Sequence, residues 1–368
     1  MTTTPARPRA RFTRTRTATP TPPSERDRLL DAPAFGTVFT DHMARITWTA
    51  DKGWSGHRVE PRAPLQLDPA AAVLHYAQEI FEGLKAYRHD DGSVWLFRPH
   101  ANAARFQASA RRMALPELPV EDFIGAIEAL VRVDAPWVPT GVGSSLYLRP
   151  FMFASEAFLG VRAARVVDHV VIACPVGPYF TGGVRAVSIW VAEDLRRAGP
   201  GGTGAAKCGG NYAAGLAAQQ RAYERDCDQV CFLDAATGRN LEELGGMNVF
   251  VVRADGTVHT PRLTGTLLPG IVRDAAITLL TDLGHRVRET DVALAEVLDG
   301  CRTGEVAELF ASGTGAAITP IGRLVGETFD VPVGGGEVGP VAAALRTALT
   351  DIQHGRAEDR HGWLHRVV

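Results

Sequence analysis

One lysine lies in a glycine-rich stretch, so its neighbours in the sequence contribute few side-chain atoms around it. Lys207 follows Gly-Thr-Gly-Ala-Ala and precedes Cys-Gly-Gly-Asn-Tyr. Glycines allow a flat or phosphorylated molecule to approach the main chain closely. An amine in an apolar pocket loses part of its preference for the charged form, and only the neutral amine attacks a carbonyl to form a Schiff base. Lys207 is therefore a candidate for the covalent anchor of pyridoxal 5′-phosphate, and a lysine in an exposed loop is the alternative.

Two phosphate-binding patterns do not fit this stretch. A P-loop requires glycine before the lysine and serine or threonine after it, whereas Lys207 lies between Ala206 and Cys208. The glycines of residues 199–204 spell Gly-x-Gly-x-x-Gly, a pattern that binds dinucleotides when it directly follows a buried strand. Here the charged segment Glu193–Arg197 precedes it, so the sequence does not favour a dinucleotide site.

Pyridoxal phosphate needs more than an amine: a phosphate cup, an acid at the pyridine nitrogen and a hydrogen bond to the phenolic oxygen. The segment Leu268–Val272 opens a predicted helix, whose first N–H groups favour an anion. Arg105 offers a fixed charge with forked donors. Glu242 or Glu243 can pair with a protonated ring, and Tyr212 can reach the phenolic oxygen. Taken singly, these residues also fit a plain helix start, a solvated turn acid and a core tyrosine.

The run from Gly201 to Tyr212 resembles, without a gap, the lysine segment of the branched-chain amino acid aminotransferases, which are class IV pyridoxal-phosphate enzymes. The resemblance covers about Phe35 to Ile321. Further motifs match the family in the same order along the chain: Phe81 to Lys85, Asn102 to Arg105, Leu146 to Pro150, Glu243 to Asn248, Leu268 to Arg273 and Ser312 to Gly315.

The resemblance implies a role for each cofactor-binding candidate. Lys207 would carry the Schiff base and move the substrate's α-proton as general base and acid. Glu243, rather than its neighbour Glu242, would meet the pyridine nitrogen, and Tyr212 would meet the phenolic oxygen. The phosphate would be bound by the side chain of Arg105, the backbone amides of Ile271 and Val272, and Thr314. Gly246 stands where many members have threonine.

The resemblance also implies a substrate pocket. An apolar surface for a branched side chain would be joined by polar groups at the rim and by amides for the substrate carboxylate. The pocket positions are Tyr76, Phe81, Tyr147, Arg149, Thr314 and Gly315. Phe81 and Tyr147 taken singly are equally well explained as core aromatics.

The implied fold is α/β (α+β), the two-domain class IV aminotransferase fold of the D-amino acid aminotransferase type, with its active site at the domain interface. The implied enzyme is a homodimer, with higher oligomers possible, that reversibly transfers the amino group of leucine, isoleucine or valine to 2-oxoglutarate. Its partners would be small-molecule amino acids and 2-oxo acids. Alternatives are a D-amino acid aminotransferase, an aminodeoxychorismate lyase, an aminotransferase of secondary metabolism and a non-catalytic relative. The presence of Lys207, Glu243 and Arg105 argues against the last of these.

A length of 368 residues favours two domains. Residues 1–27 are rich in threonine, proline and arginine, which predicts a disordered tail. The predicted small N-terminal domain spans residues 28–174. A glycine- and proline-rich interdomain loop follows at 175–185, and the large C-terminal domain with the lysine spans 186–368.

The composition limits which classes of partner and compartment are expected for this chain. A formal net charge of −2 gives no reason to expect nucleic acid. No apolar run approaches the ~20 residues of a membrane span. The five cysteines are scattered, which suggests reduced thiols in the cytoplasm. Cys227 and Cys231 lack the histidines that would complete a zinc site, so no metal is expected.

The hydrophobic pattern predicts elements in both domains. In the first, the predictions are a helix over 69–79, a hairpin of Leu84–Arg88 and Val94–Phe97, helices over 99–115 and 121–133, and strands over 144–153 and 167–173. In the second, they are strands over 186–192, 229–233, 247–253 and 307–311, and helices over 211–225, 269–283 and 340–352.

Overall fold

The computed structural model describes residues 10–31, 33, 35–141, 143–178 and 183–368. The chain divides into two compact units, Met1–Pro178 with Gln353–Val368, and Tyr179–Ile352. The change of unit falls inside the predicted loop 175–185, of which residues 179–182 lie outside the described residues. Residues 353–368, which the sequence assigned to the C-terminal domain, group instead with the first unit.

The elements up to residue 178 are β1 (Thr13–Arg14), α1 (Pro23–Asp31), β2 (His42–Thr49), β3 (Gly53–Pro61), α2 (Ala72–Tyr76), β4 (Glu79–Phe81), β5 (Leu84–Arg88), β6 (Val94–Phe97), α3 (Pro99–Arg112), α4 (Val120–Val133), a 3-10 turn (Ala135–Trp137), β7 (Ser145–Ala154) and β8 (Val166–Val176). Those after residue 182 are β9 (Val187–Ala192), α5 (Gly209–Ala213), α6 (Leu216–Tyr223), β10 (Gln229–Leu233), β11 (Leu241–Leu244), β12 (Asn248–Arg253), β13 (Val258–Pro261), α7 (Ile271–Asp282), β14 (Val287–Thr290), α8 (Leu294–Thr303), β15 (Val306–Gly313), β16 (Ala317–Val325), β17 (Asp330–Pro332), a second 3-10 turn (Gly334–Gly336), α9 (Pro340–Gln353) and β18 (Leu364–Arg366).

The first unit is built on one sheet with the strand order β1-β3-β2-β8-β7-β5-β6-β18, with β4 against β7. The predicted hairpin of β5 and β6 is confirmed residue for residue. Helices α3 and α4 contact each other. Phe106 and Phe123, one from each helix, are fully buried, with ring centroids 5.2 Å apart. Strand β18 pairs with β6, which explains why the end of the chain belongs to this unit.

Two predictions for the first unit are wrong. Within the described part of the tail predicted to be disordered, Thr13–Arg14 pairs in parallel with β3, and Pro23–Asp31 is helical. This segment is held because the backbone N–H of Thr17 donates to His42 Nε2 at 3.0 Å. The helix predicted over 69–79 is shorter, because Ala77 adopts a left-handed φ of 47° and the chain then enters β4.

The second unit is built on a sheet whose strands close on themselves. The order β11-β10-β9-β16-β15-β12 runs from one strand to the next, and β11 also pairs with β12. A single register pair, Glu243 opposite Asn248, makes that last connection. Strands β13 and β14 extend beyond β12, and β17 lies against β16. The closed ring therefore holds Glu243 between two strands, although the sequence predicted no strand there.

Other predictions for this unit hold with small shifts of boundary, including β9, β10, β12, β15, α7 and α9. The helix predicted over 211–225 is instead two helices, α5 and α6. Glu308 accepts the backbone N–H groups of Val341 and Ala342 at 2.9 and 3.0 Å, so a buried acid on β15 caps α9. Within the described ranges, each helix is too short or too polar to cross a membrane.

Candidate active site

The glycine-rich loop is held by one buried asparagine. Asn211 Nδ2 donates to the carbonyl oxygens of Thr203 and Ala206, both at 2.8 Å. Its Oδ1 accepts the Thr203 hydroxyl at 2.7 Å. Because Asn211 lies in α5, which begins at Gly209, these bonds fix the loop against the helix that follows it. Lys207 lies at this junction and is half-buried.

Lys207 contacts the tyrosine that follows it by five residues. Its Nζ donates to Tyr212 Oη at 2.7 Å and lies 5.1 Å from the centroid of the tyrosine ring. The turn of α5 brings the two side chains to the same place. An amine and a phenol in hydrogen-bond contact can exchange a proton, which is the arrangement that amine chemistry on a carbonyl needs.

Glu243 lies on β11 and is buried, with 4% of its surface exposed. It accepts the backbone N–H of Leu268 at 3.0 Å and Asn248 Nδ2 at 3.1 Å, and it forms an ion pair with Arg197. Burial raises the pKa of Glu243 to about 7, against the opposing effect of the Arg197 charge and a smaller one from Lys207. The group can therefore change its charge near neutral pH.

Its neighbour Glu242 is also buried, so the alternative of solvated turn acids is wrong for both. Glu242 Oε1 accepts the hydroxyl of Thr266, and burial raises the pKa of Glu242. Glu242 also lines a cavity of about 330 Å³ whose polar members include Asp234 and Thr264. Neither Lys207 nor Glu243 lines that cavity.

Helix α7 begins at the Leu-Pro-Gly segment, as predicted. Its N-cap is Gly270, a residue that has no side chain with which to cap the helix. A Cβ on Gly270 would lie 2.0 Å from Asn248 Oδ1, so only glycine fits there. Ile271 and Val272 are the first two helical residues and are buried. Backbone amides in the first turn of a twelve-residue helix are suited to an anion.

Thr314 and Gly315 lie in the turn between β15 and β16. A Cβ on Gly315 would meet no other atom within 4 Å, so the space beside the turn is open. The hydroxyl of Ser312, just before the turn, is buried and has no hydrogen-bond partner among the described residues. Arg346 of α9 donates to the carbonyl of Ala316 at 2.7 Å and fixes the far side of the turn.

In the first unit, Arg105 forms a two-point ion pair. Its Nε donates to Glu82 Oε1 at 2.7 Å and its Nη2 to Glu82 Oε2 at 2.9 Å. Asn102, on the same face of α3, donates to Glu82 Oε2 at 2.7 Å. All three residues are buried. Asn102 and Arg105 are three residues apart on α3 and therefore share a helix face, and Glu82 directly follows β4. The guanidinium is thereby held in one orientation.

Arg149 contacts two of the other predicted substrate-pocket residues. The Arg149 guanidinium lies 4.8 Å from the Phe81 ring centroid, and its Nη2 donates to Tyr147 Oη at 3.0 Å. A Cβ on Gly83 would lie 2.2 Å from Tyr147 Oη, so the tip of the tyrosine ring lies close to the main chain at this glycine. Tyr76 ends α2, is 38% exposed and lies with its ring 6.5 Å from that of Phe158.

Sequence reasoning missed the partners of the two charged candidates. Arg197 was named only as the end of the charged segment before the glycine-rich loop, and Glu82 only as part of a matching motif. A signal was available for both, because a buried charge requires an opposite charge or several hydrogen bonds. That rule predicts that partners exist, but it does not say which of the 39 basic and 41 acidic residues they are.

The family model for amino-transferase class IV matches residues 79–324, which is more than half of the chain. The chain belongs to the class IV aminotransferases. The match includes the lysine loop, the acid on β11, the start of α7 and the turn after β15. The resemblance read from the sequence is therefore confirmed.

Relatives with high identity are aminotransferases over almost their whole length. The chain is 53% identical to a probable branched-chain-amino-acid aminotransferase of Streptomyces coelicolor, over 94% of this chain and 95% of the relative. It is 50% identical to the branched-chain-amino-acid aminotransferase of Mycolicibacterium smegmatis, over 93% and 94%. Among solved structures, the Escherichia coli branched-chain amino acid aminotransferase has a TM-score of 0.73 and 29% identity, covering 88% of this chain and 100% of that chain.

The predicted fold, the α/β (α+β) fold of class IV aminotransferases, is confirmed by these similarities. The cofactor of the family is pyridoxal 5′-phosphate. A second solved branched-chain amino acid aminotransferase, with a TM-score of 0.73, 26% identity and coverage of 88% and 99%, contains pyridoxamine 5′-phosphate.

The donor set of the second unit fits this cofactor. It offers an amine beside a phenol at Lys207 and Tyr212, a buried acid at Glu243, and the start of α7 at Gly270. The Ser312 hydroxyl, which has no partner within the described ranges, and the open space at Gly315 leave bonding capacity and room at the turn.

Proposed function

We propose that this class IV aminotransferase is a branched-chain amino acid aminotransferase. It transfers the amino group of leucine, isoleucine or valine to 2-oxoglutarate, giving the branched 2-oxo acid and glutamate, and it works in both directions. The choice of substrate rests on one observation. Over nine-tenths of its length, the chain is about half identical to enzymes named branched-chain-amino-acid aminotransferase or probable branched-chain-amino-acid aminotransferase. The amino acids and 2-oxo acids themselves follow from membership of the family.

The bound cofactor supplies an aldehyde that accepts amines and a ring that withdraws electrons from the substrate's α-carbon. Lys207 holds the cofactor and then moves the α-proton as base and acid. Tyr212 donates to the phenolic oxygen and orients the lysine amine, which its 2.7 Å contact supports. Glu243 binds the pyridine nitrogen. The phosphate is held by Arg105, the amides of Ile271 and Val272, and Thr314.

On the substrate side, Phe81 and its neighbours form an apolar surface for the branched side chain, Tyr147 contributes polarity at the rim, and Tyr76 is a further pocket residue. Arg149 is held against the rings of Phe81 and Tyr147 and also supplies polarity at the rim. The backbone at Thr314 and Gly315 receives the substrate carboxylate. The fixed turn between β15 and β16, anchored by Arg346, supports this role because a carboxylate needs donors that do not move.

We also propose that the enzyme is a homodimer of the cytoplasm. Exposed apolar side chains of the first unit support an interface, since Leu159 is 69% and Val161 is 91% exposed. The cysteines Cys174, Cys208, Cys227, Cys231 and Cys301 are all free thiols, as expected of a reducing compartment. Light scattering on the purified protein tests the dimer. A monomer at working concentration would contradict it.

The activity is tested by incubating the protein with pyridoxal 5′-phosphate, leucine and 2-oxoglutarate, and measuring glutamate and 4-methyl-2-oxopentanoate by mass spectrometry. Equal amounts of both products are expected, with valine and isoleucine as alternative donors. Turnover of D-alanine in preference to leucine would assign the protein to the D-amino acid group. No turnover of any amino acid would contradict an aminotransferase.

The anchor is tested separately, and the chain makes this test simple because it has only three lysines, Lys52, Lys85 and Lys207. Borohydride reduction of the cofactor-loaded protein should leave a phosphopyridoxyl group on the peptide with Lys207. Lys207→Ala should abolish turnover, and Lys52→Ala, at an exposed turn, should retain it. A label on Lys85 or Lys52, or full activity of Lys207→Ala, would refute the assignment.

A further inference from the structure

Arg197 is a buried arginine that neither the sequence nor the proposed mechanism assigned to the site. It follows β9 and is 6% exposed. Its Nη2 donates to the carbonyl oxygens of Gly204 at 2.8 Å and of Thr266 at 3.0 Å, and it forms an ion pair with Glu243. Its Nε is buried and has no hydrogen-bond partner in the part of the chain that the structure describes. An arginine that leaves a donor unsatisfied is not optimally placed for stability alone.

The two carbonyl bonds hold the same Nη2 nitrogen that forms the ion pair with Glu243. Gly204 approaches Thr266 so closely that a Cβ on Gly204 would lie 2.2 Å from the Thr266 oxygen. The loop before Lys207 and the segment before α7 therefore form a rigid seat for the arginine. A cation held in such a seat presents its charge to Glu243 at one fixed position.

Other ionisable groups act on Glu243 less favourably or more weakly. Glu242, the next residue on β11, opposes its ionisation, and Lys207 favours it less strongly than Arg197 does. Cys231 faces the same acids from β10, where burial and their charges raise the pKa of its thiol to about 12, so the thiol stays neutral. Arg197 is therefore the largest source of positive potential at the carboxylate.

We propose that Arg197 is a positioning residue that favours the ionised form of Glu243 and orients its carboxylate to receive the protonated ring nitrogen of pyridoxal phosphate. This inference rests on the proposed function, in which Glu243 binds that nitrogen. Without the arginine, the buried acid takes up a proton and becomes neutral, and a neutral acid no longer balances the charge of the ring. The alternative is that Arg197 only ties two loops together through the carbonyls of Gly204 and Thr266.

A double-mutant cycle on cofactor binding separates the two roles. The dissociation constant of pyridoxal 5′-phosphate is measured by equilibrium dialysis against the apoenzyme of four proteins: wild type, Arg197→Gln, Glu243→Gln and the double variant. Glutamine at position 197 removes the charge, and because its shorter side chain does not reach the two carbonyls, the loss of those bonds is common to both backgrounds. We expect Arg197→Gln to weaken binding about 100-fold in the wild-type background.

In the Glu243→Gln background, the same change should weaken binding by less than about 3-fold, because there is no carboxylate left to keep ionised. An equal loss in both backgrounds would overturn the proposal and leave Arg197 a structural role. The conservative variant Arg197→Lys keeps the charge and should bind the cofactor within about 10-fold of wild type.

Circular dichroism and the melting temperature of each apoenzyme show whether the variants fold. If Arg197→Gln does not fold, Arg197→Lys tests the proposal instead. A loss of about 100-fold in cofactor affinity in this folded variant, which retains the charge, would overturn the proposal. The readout needs no amino acid substrate. Failure of the wild type to bind the cofactor would therefore refute the proposed function, whereas binding without coupling refutes only the role of Arg197.

Discussion

Both units bury a glutamate–arginine pair, and the two pairs have opposite roles in the proposed site. In the first unit, Arg105 is the group proposed to bind the cofactor, and Glu82 holds it. In the second, Glu243 is the group proposed to bind the cofactor, and Arg197 holds it. Each acid also accepts an asparagine amide, from Asn102 to Glu82 and from Asn248 to Glu243.

The pairs differ in how completely they are satisfied. Glu82 is fully buried and accepts two arginine nitrogens, the Asn102 amide and the N–H of Gly83. Glu243 shares its arginine with two backbone carbonyls, and burial raises its pKa to about 7. The comparison indicates that a saturated pair serves as a rigid support, whereas a less complete pair leaves an acid that can respond to a bound charge.

Removal of the supporting acid in the first unit should have the largest effect on stability. Glu82→Ala leaves Arg105 charged and buried without its partner, which should cost about 4 kcal/mol in the free energy of unfolding. Urea unfolding followed by tryptophan fluorescence measures this, because five of the six tryptophans lie in the first unit.

The exposed pair of Arg323 and Asp330 is the control for that measurement. Asp330→Ala should cost less than about 1 kcal/mol, because solvent screens the charge that is left behind. A loss for Glu82→Ala as small as that of Asp330→Ala would show that the first pair is not a rigid support.

Titration of Glu243, the acid of the second unit, should make the free energy of unfolding depend on pH. Its pKa is raised from 4.5 to about 7 in the folded state, so the folded protein keeps a proton that the unfolded chain releases. Stability is therefore lost as pH rises from about 4.5 to 7, by about 3 kcal/mol in total. In the apoenzyme, calorimetry should show that Glu243→Gln lacks this loss.

Glu296→Gln is the matched variant for the pH series, since that acid is 73% exposed and reports the pH dependence of the rest of the molecule. If wild type and Glu243→Gln lose stability in parallel between pH 4.5 and 7, Glu243 does not titrate there, and the contrast with Glu82 loses its basis.

Each glutamate–arginine pair has a glycine beside it, and substituting these two glycines compares how rigid the backbone is around each pair. A Cβ on Gly204 meets the main chain of Thr266, whereas a Cβ on Gly83 meets the tip of the Tyr147 ring, which can turn aside. Gly204→Ala should therefore cost about 2 kcal/mol and Gly83→Ala about 1 kcal/mol in the free energy of unfolding, measured by calorimetry. The reverse order would mean that the seat of Arg197 is the softer of the two.

The two asparagines should give the smallest difference. Asn102 Nδ2 lies 2.7 Å from its carboxylate oxygen and Asn248 Nδ2 lies 3.1 Å from its own. Asn102→Ala should cost about 1.5 kcal/mol and Asn248→Ala about 1 kcal/mol in urea unfolding. Only the second change should also raise the apparent pKa of Glu243, which the pH series above detects. A pKa unaffected by Asn248→Ala would remove the asparagine from the account of that acid.

The elements that the sequence predicted well are those whose information is local. The hairpin of β5 and β6 has alternating residues on either side of a turn that contains Gly92, which adopts a φ of 83°. Lys207 and Tyr212 are five residues apart, so the start of one helix is enough to bring them into contact. The start of α7 is likewise signalled by proline and glycine.

Strand β11 shows what local information lacks. Its sequence, Leu-Glu-Glu-Leu, has no β-branched or aromatic residue, and the sequence analysis predicted no strand there. It is extended because β10 and β12 pair with it from both sides when the ring closes. The burial of Glu242 and Glu243 follows from that closure and not from the residues themselves.

The sequence by itself identified the family of this protein and predicted the groups of the proposed site: the lysine in its glycine loop, the tyrosine after it, the acid, and the helix start that suits a phosphate. Only the tertiary structure decided which charges support these groups. Glu82 reaches Arg105 across 23 positions, and Arg197 reaches Glu243 across 46. A buried charge requires a partner wherever it lies. Strand pairing and closure of the sheet determine which residue becomes that partner, and the spacing of neighbouring residues in the sequence predicts neither of them.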